Sequence, residues 1–135
     1  HFALGSLAKL FDPEDIMKRV SFAKEIVGEN LHIFGIANTK IIQSLVRKGI
    51  RSFDSSRPMQ GAIFNTVFYS KPFRRFTIDR ARFIRTPSAV LSTPLKCKCP
   101  ICKMDPNLIM GIGTKKAINF RAIHNYYHLL KEIEN

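Results

Sequence analysis

Residues 31–54 read LHIFGIANTKIIQSLVRKGIRSFD, and their order decides the fold class. Residues 31–36 form a short apolar run, the pattern of a strand buried in a parallel sheet. Asn38 can cap a helix by accepting a backbone N–H on its side chain. Ile41, Ile42, Leu45 and Val46 then recur at helical spacing and give that helix one apolar face. Gly49 stops it, because glycine readily takes the left-handed turn that ends helices. Residues 50–53 return to a short strand. The same alternation runs upstream. Residues 2–4 read as the end of a buried strand, a Gly-Ser loop follows, and Asp12 caps a helix with Pro13 in its first turn. Ile16, Val20, Ala23 and Val27 share one face of that helix, and Gly28 ends it. Residues 1–54 therefore predict strand–helix–strand–helix–strand with short loops, an α/β unit with parallel strands. Asp54 falls at the C-terminal end of the last strand, the end at which α/β barrels carry their reactive groups.

Three strands do not close a barrel. The opening on an apolar strand without an initiator Met adds to the expectation that this is a piece of a longer polypeptide. After Pro58 the character changes. Residues 62–69 and 73–84 are rich in aromatic and β-branched side chains and predict an antiparallel pair. Residues 86–94 predict a Pro/Ser/Thr loop, and residues 105–113 a loop or short helix. Residues 114–134 predict a long C-terminal helix with Ile118, Ile123, Tyr127 and Leu130 available for burial.

With 135 residues and 45% hydrophobic content, the chain can bury one modest core. Its net charge is +12, from 22 Lys and Arg against 10 Asp and Glu, which points to a polyanionic partner. A basic surface with no partner is the plainer alternative. A membrane surface fits less well, since the basic residues do not form the polar face of one long amphipathic helix. No apolar run reaches the roughly 18 residues of a membrane span, and the first residues lack the basic segment and cleavage site of a signal peptide. Residues 71–85 hold six basic residues and one acid, interleaved with Phe73, Phe76 and Phe83. A strand pair there would set positive charge on one face and apolar rings on the other. Arg74, Arg75, Arg80 and Arg82, with Arg57, are the candidate phosphate contacts, and the rings read as core; a solvated face over a small core is the alternative.

Cys97, Cys99 and Cys102 form a C-x-C-x-x-C cluster. An odd, tight group fits metal binding better than disulfide pairing and suggests a reducing compartment. Three thiolates can fill three corners of a tetrahedral site, and His124 or His128, one turn apart on the predicted helix, can fill the fourth. Four protein ligands leave no open position, so such a zinc would be structural. An iron–sulfur cluster and three reduced, metal-free cysteines are the other readings. His1 and His32 have no such context and read as ordinary residues.

Three features together, Ser52-Phe53-Asp54-Ser55-Ser56, the C-x-C-x-x-C cluster and His124-Asn125, resemble the C-terminal part of the guanine transglycosylases. These enzymes replace guanine with a 7-deazaguanine in tRNA, during queuosine and archaeosine synthesis, and in a related branch in DNA. The resemblance runs from about Ala3 to the end of the chain. It implies a (β/α)8 TIM barrel with an inserted zinc-binding subdomain. Residues 1–56 would be the last βα units, residues 57–112 the antiparallel strands and Cys loop, and residues 113–135 the helix carrying the zinc His. It implies that Asp54 is the catalytic nucleophile and that Gly5, Ser6 and Leu7 belong to the base-binding loop. It implies that Phe34 and Gly35 lie against the bound base, and that Cys97, Cys99, Cys102 and His124 hold one structural Zn2+. His124 is preferred to His128 because Asn follows it, as in the family.

Some wording departs from the family. Bacterial tRNA enzymes follow Phe-Asp with Cys and then Pro-Thr-Arg, where this chain has Ser55-Ser56-Arg57-Pro58-Met59-Gln60. They carry Gly-Glu after the base-binding loop, where this chain has Lys9-Leu10. Cys-Pro-Ile-Cys is closer to archaeal members, and Phe-Asp-Ser-Ser-x-Pro to the DNA-modifying branch. The family's second acid/base aspartate has no match in this stretch. The expectation is thus a cytoplasmic pentosyltransferase with a nucleic acid (tRNA or DNA) and a 7-deazaguanine base as partners, no membrane contact and a possible homodimer, inactive as this stretch alone. From a different class, a non-catalytic zinc-containing nucleic-acid-binding module competes with it.

Overall fold

The computed structural model describes residues 1–10, 12–36, 38–79 and 89–134. The chain divides into two compact units, His1–Ser56 and Arg57–Asn135. The first unit runs β1 (Phe2–Leu4), a 3-10 turn (Leu7–Lys9), α1 (Pro13–Val27), β2 (Leu31–Ile33), α2 (Thr39–Arg47) and β3 (Ser52–Phe53). Both predicted caps form. Asp12 Oδ1 accepts the Glu14 N–H at 2.9 Å, and Asn38 Oδ1 accepts the Lys40 N–H at 2.9 Å. Gly28 and Gly49 follow their helices with φ of 69° and 79°, the left-handed turn for which glycine is suited. The strands are parallel in the order β1-β2-β3, with His32 opposite Ala3 and Ser52, and Ile33 opposite Leu4 and Phe53.

Side chains alternate across β2. Leu31 and Ile33 are buried together with Ile16 and Val20 of α1 and Ile41, Ile42 and Leu45 of α2. His32 therefore faces the other side of the sheet, and Ser52, its register partner, lies there too. One expectation for this unit fails: β1 is not buried. Phe2 is 59% exposed, because β1 pairs only with β2 among the described residues.

The second unit runs α3 (Arg57–Ile63), β4 (Thr66–Tyr69), β5 (Arg74–Ile78), β6 (Ala89–Leu91), α4 (Pro100–Met104), a 3-10 segment (Pro106–Met110) and α5 (Lys115–Ile133). β4 and β5 are antiparallel as expected, but two boundaries differ. The strand expected from residue 62 starts at Thr66, because Arg57–Ile63 is helical with Pro58 in its first turn. The expected loop at 86–94 contains β6, which pairs in parallel with β5 through the apolar triplet Ala89-Val90-Leu91. Residues 80–88, including the proposed phosphate contacts Arg80 and Arg82, lie outside the described residues.

α5 buries the expected stripe only in part: Ile118 and Tyr127 are half-buried, Tyr127 against the core of the second unit. Ile123 and Leu130 are 47% and 54% exposed. Ala117, Arg121, Ala122, His124, Asn125, His128 and Leu129 are buried instead. Apolar spacing misled here because each buried polar group on this stripe has a partner. Arg121 is fully buried and donates to the carbonyls of Ala62 (3.0 Å), Ile109 (2.9 Å) and Gly111 (2.7 Å) and to Asn65 Oδ1 (2.8 Å). Burial lowers its pKa to about 10, so it stays charged at neutral pH. It ties α3 and the turn after it to the 3-10 segment and α5.

Gly61 is where α3 meets β4: an added Cβ would stand 2.9 Å from the Phe68 ring. Gly61→Ala gains roughly 1 kcal/mol of helix propensity but overpacks a fully buried ring, at a cost of about 1–3 kcal/mol. A net loss of stability is expected, measured as a lower urea midpoint at unchanged slope.

Candidate metal centre and strand-end carboxylate

In the second unit, one ligand atom each from Cys97, Cys99, Cys102 and His124 lies within 4.8 Å of all the others. His124 Nδ1 is 3.8, 3.3 and 3.5 Å from the Sγ atoms of Cys97, Cys99 and Cys102. A tetrahedral zinc with Zn–S near 2.3 Å and Zn–N near 2.05 Å requires S···N separations of about 3.6 Å. The three S···N separations therefore match those around such an ion. The loop supplies the geometry: the Cys99 N–H donates to Cys97 Sγ at 3.2 Å, and the Cys102 N–H to Cys99 Sγ at 3.3 Å. Cys99 is also the cap of α4, so helix formation and thiolate placement are one event. Burial pushes the Cys97 and Cys102 thiols up, since a buried thiolate with no cation beside it is costly. A divalent cation among them reverses that balance.

His124 is orientated for the role. Its Nε2 is 2.8 Å from the Phe68 carbonyl, which can only accept, so Nε2 carries the proton and Nδ1 presents its lone pair to the sulfurs. Burial, and secondarily the neighbouring His128, lower its pKa to about 4, which keeps it neutral and able to ligate at pH 7. His128 differs. Its Nδ1 accepts the Ser70 N–H at 3.1 Å, which puts its proton on Nε2, 3.1 Å from Cys97 Sγ. It is placed to donate a hydrogen bond to Cys97 Sγ. Asn125, which sequence reasoning used only as a motif letter, is fully buried and pins β4. Its Oδ1 accepts the Phe68 N–H (2.9 Å), and its Nδ2 donates to the carbonyls of Pro58 (3.1 Å) and Thr66 (3.0 Å). The His-Asn pair thus holds both polar groups of the Phe68 backbone.

In the first unit, Gly5, Phe34 and Asp54 each follow the C-terminal end of a parallel strand. The Phe34 N–H donates to the Leu4 carbonyl (3.0 Å), the Asp54 N–H to the Ile33 carbonyl (3.2 Å), and the Ile36 N–H to the Asp54 carbonyl (3.1 Å). Asp54 Oδ1 accepts the Gly35 N–H at 2.8 Å. Gly35 has φ of 70°, so the loop turns its amide onto the carboxylate in a conformation suited to glycine. Phe34 is exposed, Ser6 is left-handed with φ of 61°, and Leu7 turns its side chain into the core. Gly5, Ser6, Phe34, Gly35 and Asp54 thus gather at one end of the sheet, while Leu7 contributes packing and backbone. Two further residues share this end. His32 Nε2 is 3.7 Å from Asp54 Oδ1, and His32 Nδ1 is 2.6 Å from Ser52 Oγ. The signal for His32 was its parity: central in a parallel register, it falls on the same face as Ser52 and Asp54.

Of the candidate phosphate contacts, Arg57 and Arg75 line one hollow of about 220 Å³ in the second unit, with Gln60, Phe64, Thr66 and Thr77. Burial, then the charge of Arg75, lower the Arg57 pKa. The expected separation of charge from rings fails on β5. Arg74 lies over the Phe76 ring, 5.7 Å from its centre, because residues two apart on a strand share a face.

No helix among the described residues is long and apolar enough to cross a membrane. No curated protein matches the chain. Residues 1–135 match the model of the queuine tRNA-ribosyltransferase family. The match spans the strand-end carboxylate and the Cys3His cluster alike, and the chain belongs to this family of transferases.

Proposed function

We propose that this chain carries the nucleophile and the zinc subdomain of a guanine transglycosylase acting on tRNA or DNA, with residues 1–56 forming the last βα units of a (β/α)8 barrel. The observation that carries the reading is Asp54. It is a carboxylate at the end of a parallel strand, with one oxygen held by the Gly35 amide beside an exposed aromatic, in a chain of this family. Asp54 attacks C1′ of the target nucleotide, the bond from C1′ to guanine N9 breaks, and a covalent aspartyl–sugar ester forms. A second acid/base group supplies the proton that leaves with guanine and takes one from the incoming 7-deazaguanine, whose N9 displaces the ester oxygen. Two inversions give net retention and regenerate the Asp54 carboxylate. Gly5, Ser6 and Phe34 bound the space for the base. Cys97, Cys99, Cys102 and His124 would hold zinc, which supplies a structural cross-link with no open position for substrate.

The test is exchange of labelled guanine into bulk tRNA and into duplex DNA by the full-length polypeptide. No exchange into either overturns the reading, and the substrate that takes label names the branch. Arg57 and Arg75, two like charges facing one hollow, suit a backbone phosphate. Arg75→Ala is expected to weaken binding to the accepted nucleic acid about 3- to 10-fold and to reduce the slope of log K against log salt by about 1. A filter-binding series across salt concentrations measures both.

A further inference from the structure

His32 sits on the face of β2 turned away from the helices, across from Ser52 in the parallel register. Ser52, two residues before Asp54, and Asp54 itself share that face. The half-buried imidazole spans the two, with Nδ1 at 2.6 Å from Ser52 Oγ and Nε2 at 3.7 Å from Asp54 Oδ1. Its ring packs edge-on against Phe34, with centroids 4.6 Å apart. Of the neutral tautomers, the one with the proton on Nδ1 would turn the Nε2 lone pair toward a carboxylate. The other lets Ser52 O–H donate to Nδ1 and turns Nε2–H toward Asp54. The imidazolium also presents Nε2–H. In both favourable states, Ser52 holds the ring and the ring presents a donor to the carboxylate.

We infer that His32 is a positioning residue for Asp54: held by Ser52, with Nε2 3.7 Å from Oδ1 and so beyond hydrogen-bond reach, it acts on the carboxylate through its charge and dipole beside the Gly35 amide that hydrogen-bonds Oδ1, so that Oδ2 is the oxygen that attacks. This rests on the reading of Asp54 as nucleophile. The same donor also serves the second displacement, because the carboxylate regains its charge as the ester bond breaks, and a nearby N–H stabilises it. Phe34 is set by the same ring, so base packing and carboxylate orientation are coupled through His32.

Asn and Gln separate the two ends of the imidazole. The Asn amide reaches the Nδ1 position beside Ser52 but not Asp54, and the Gln amide reaches the Nε2 position. In labelled-guanine exchange with the full-length protein, using bulk tRNA and duplex DNA in parallel, His32→Asn is expected to lower kcat about 10- to 100-fold with KM within about threefold. His32→Gln is expected to recover most of the loss. Equal loss in both variants, or an Asn variant within about twofold of wild type, overturns the inference. The covalent adduct on a denaturing gel tells its failure from that of the underlying reading. An Asp54→Ala protein that still forms the adduct overturns the nucleophile assignment. An Asp54→Ala protein that loses it, beside a His32→Asn protein with wild-type kinetics, overturns the role of His32 alone. Independently of any substrate, long-range 1H–15N correlation of the His32 ring should show Nε2 protonated, and an Nδ1–H tautomer overturns the geometry.

Discussion

Asp54→Ala is expected to abolish the covalent aspartyl–sugar species and to lower base exchange by at least about 10^4-fold, the scale on which removal of a nucleophile is felt. Its thermal midpoint should change little. The carboxylate is exposed, and among the described residues its close hydrogen bond is to the Gly35 amide, which water can replace. Asp54→Asn sharpens the test. The amide oxygen can still accept the Gly35 N–H, so the β2 loop keeps its conformation, but the side chain cannot form the ester. If Asn and Ala lose activity alike, the loss belongs to the chemistry rather than to the loop. If Asn keeps more than about a tenth of wild-type exchange, Asp54 is not the nucleophile, and the Gly35–Asp54 contact is loop structure only. The adduct is read on a denaturing gel with labelled tRNA and, in parallel, labelled duplex DNA.

Asp54 could be located from the sequence because each step toward it used a strong local signal. Asp12-Pro13 and Asn38 cap helices through their own side chains, and both caps form. The glycines after each helix take the left-handed turn, and what remains between helices must be strand. The Cys3His cluster was legible for a similar reason, since its three cysteines fall within six residues. The polar stripe of α5 was not legible. Arg121, His124 and Asn125 meet carbonyls of α3, β4, the 3-10 segment and Gly111, and His128 meets Ser70 and Cys97; those partners lie 10 to 67 residues away. Hydrophobic periodicity cannot register a partner so distant, and it pointed instead to Ile123 and Leu130. α3 was missed because Ala62 and Ile63 suit a strand as well as a helix. The helix packs on β4 at Gly61, where the Phe68 ring lies against the backbone, a contact between residues that no local pattern registers. His32 was passed over because its significance lies in register, which appears only when β2 and β3 are aligned.

Removing the metal should have the largest effect on stability. Cys99 and Cys102 belong to the core of the second unit, with Val67, Tyr69, Ile78, Leu91, Ile101, Ile109 and Met110. Zinc bound by the three thiolates and His124 would join the Cys loop to the middle of α5, and His124 and Asn125 in turn hold β4. Apparent zinc-binding energies at closed Cys/His sites are about 10–16 kcal/mol, comparable with the whole 5–15 kcal/mol that stabilises a typical domain. A full-length sample should therefore contain about one zinc per chain. Chelation, or Cys99→Ala, is expected to abolish the cooperative melting of residues 57–134, with loss of the α5 contribution to far-ultraviolet circular dichroism. His128→Ala distinguishes a ligand from a ligand's hydrogen-bond donor. Because His128 Nε2 is placed to donate to Cys97 Sγ, its loss should weaken zinc about 10- to 100-fold while leaving the zinc-loaded protein folded. Competition against a chromophoric chelator measures the affinity. A His128→Ala protein that, like Cys99→Ala, cannot hold zinc at all would move the fourth ligand from His124 to His128. A folded sample with less than about half an equivalent of zinc would remove the metal from this site.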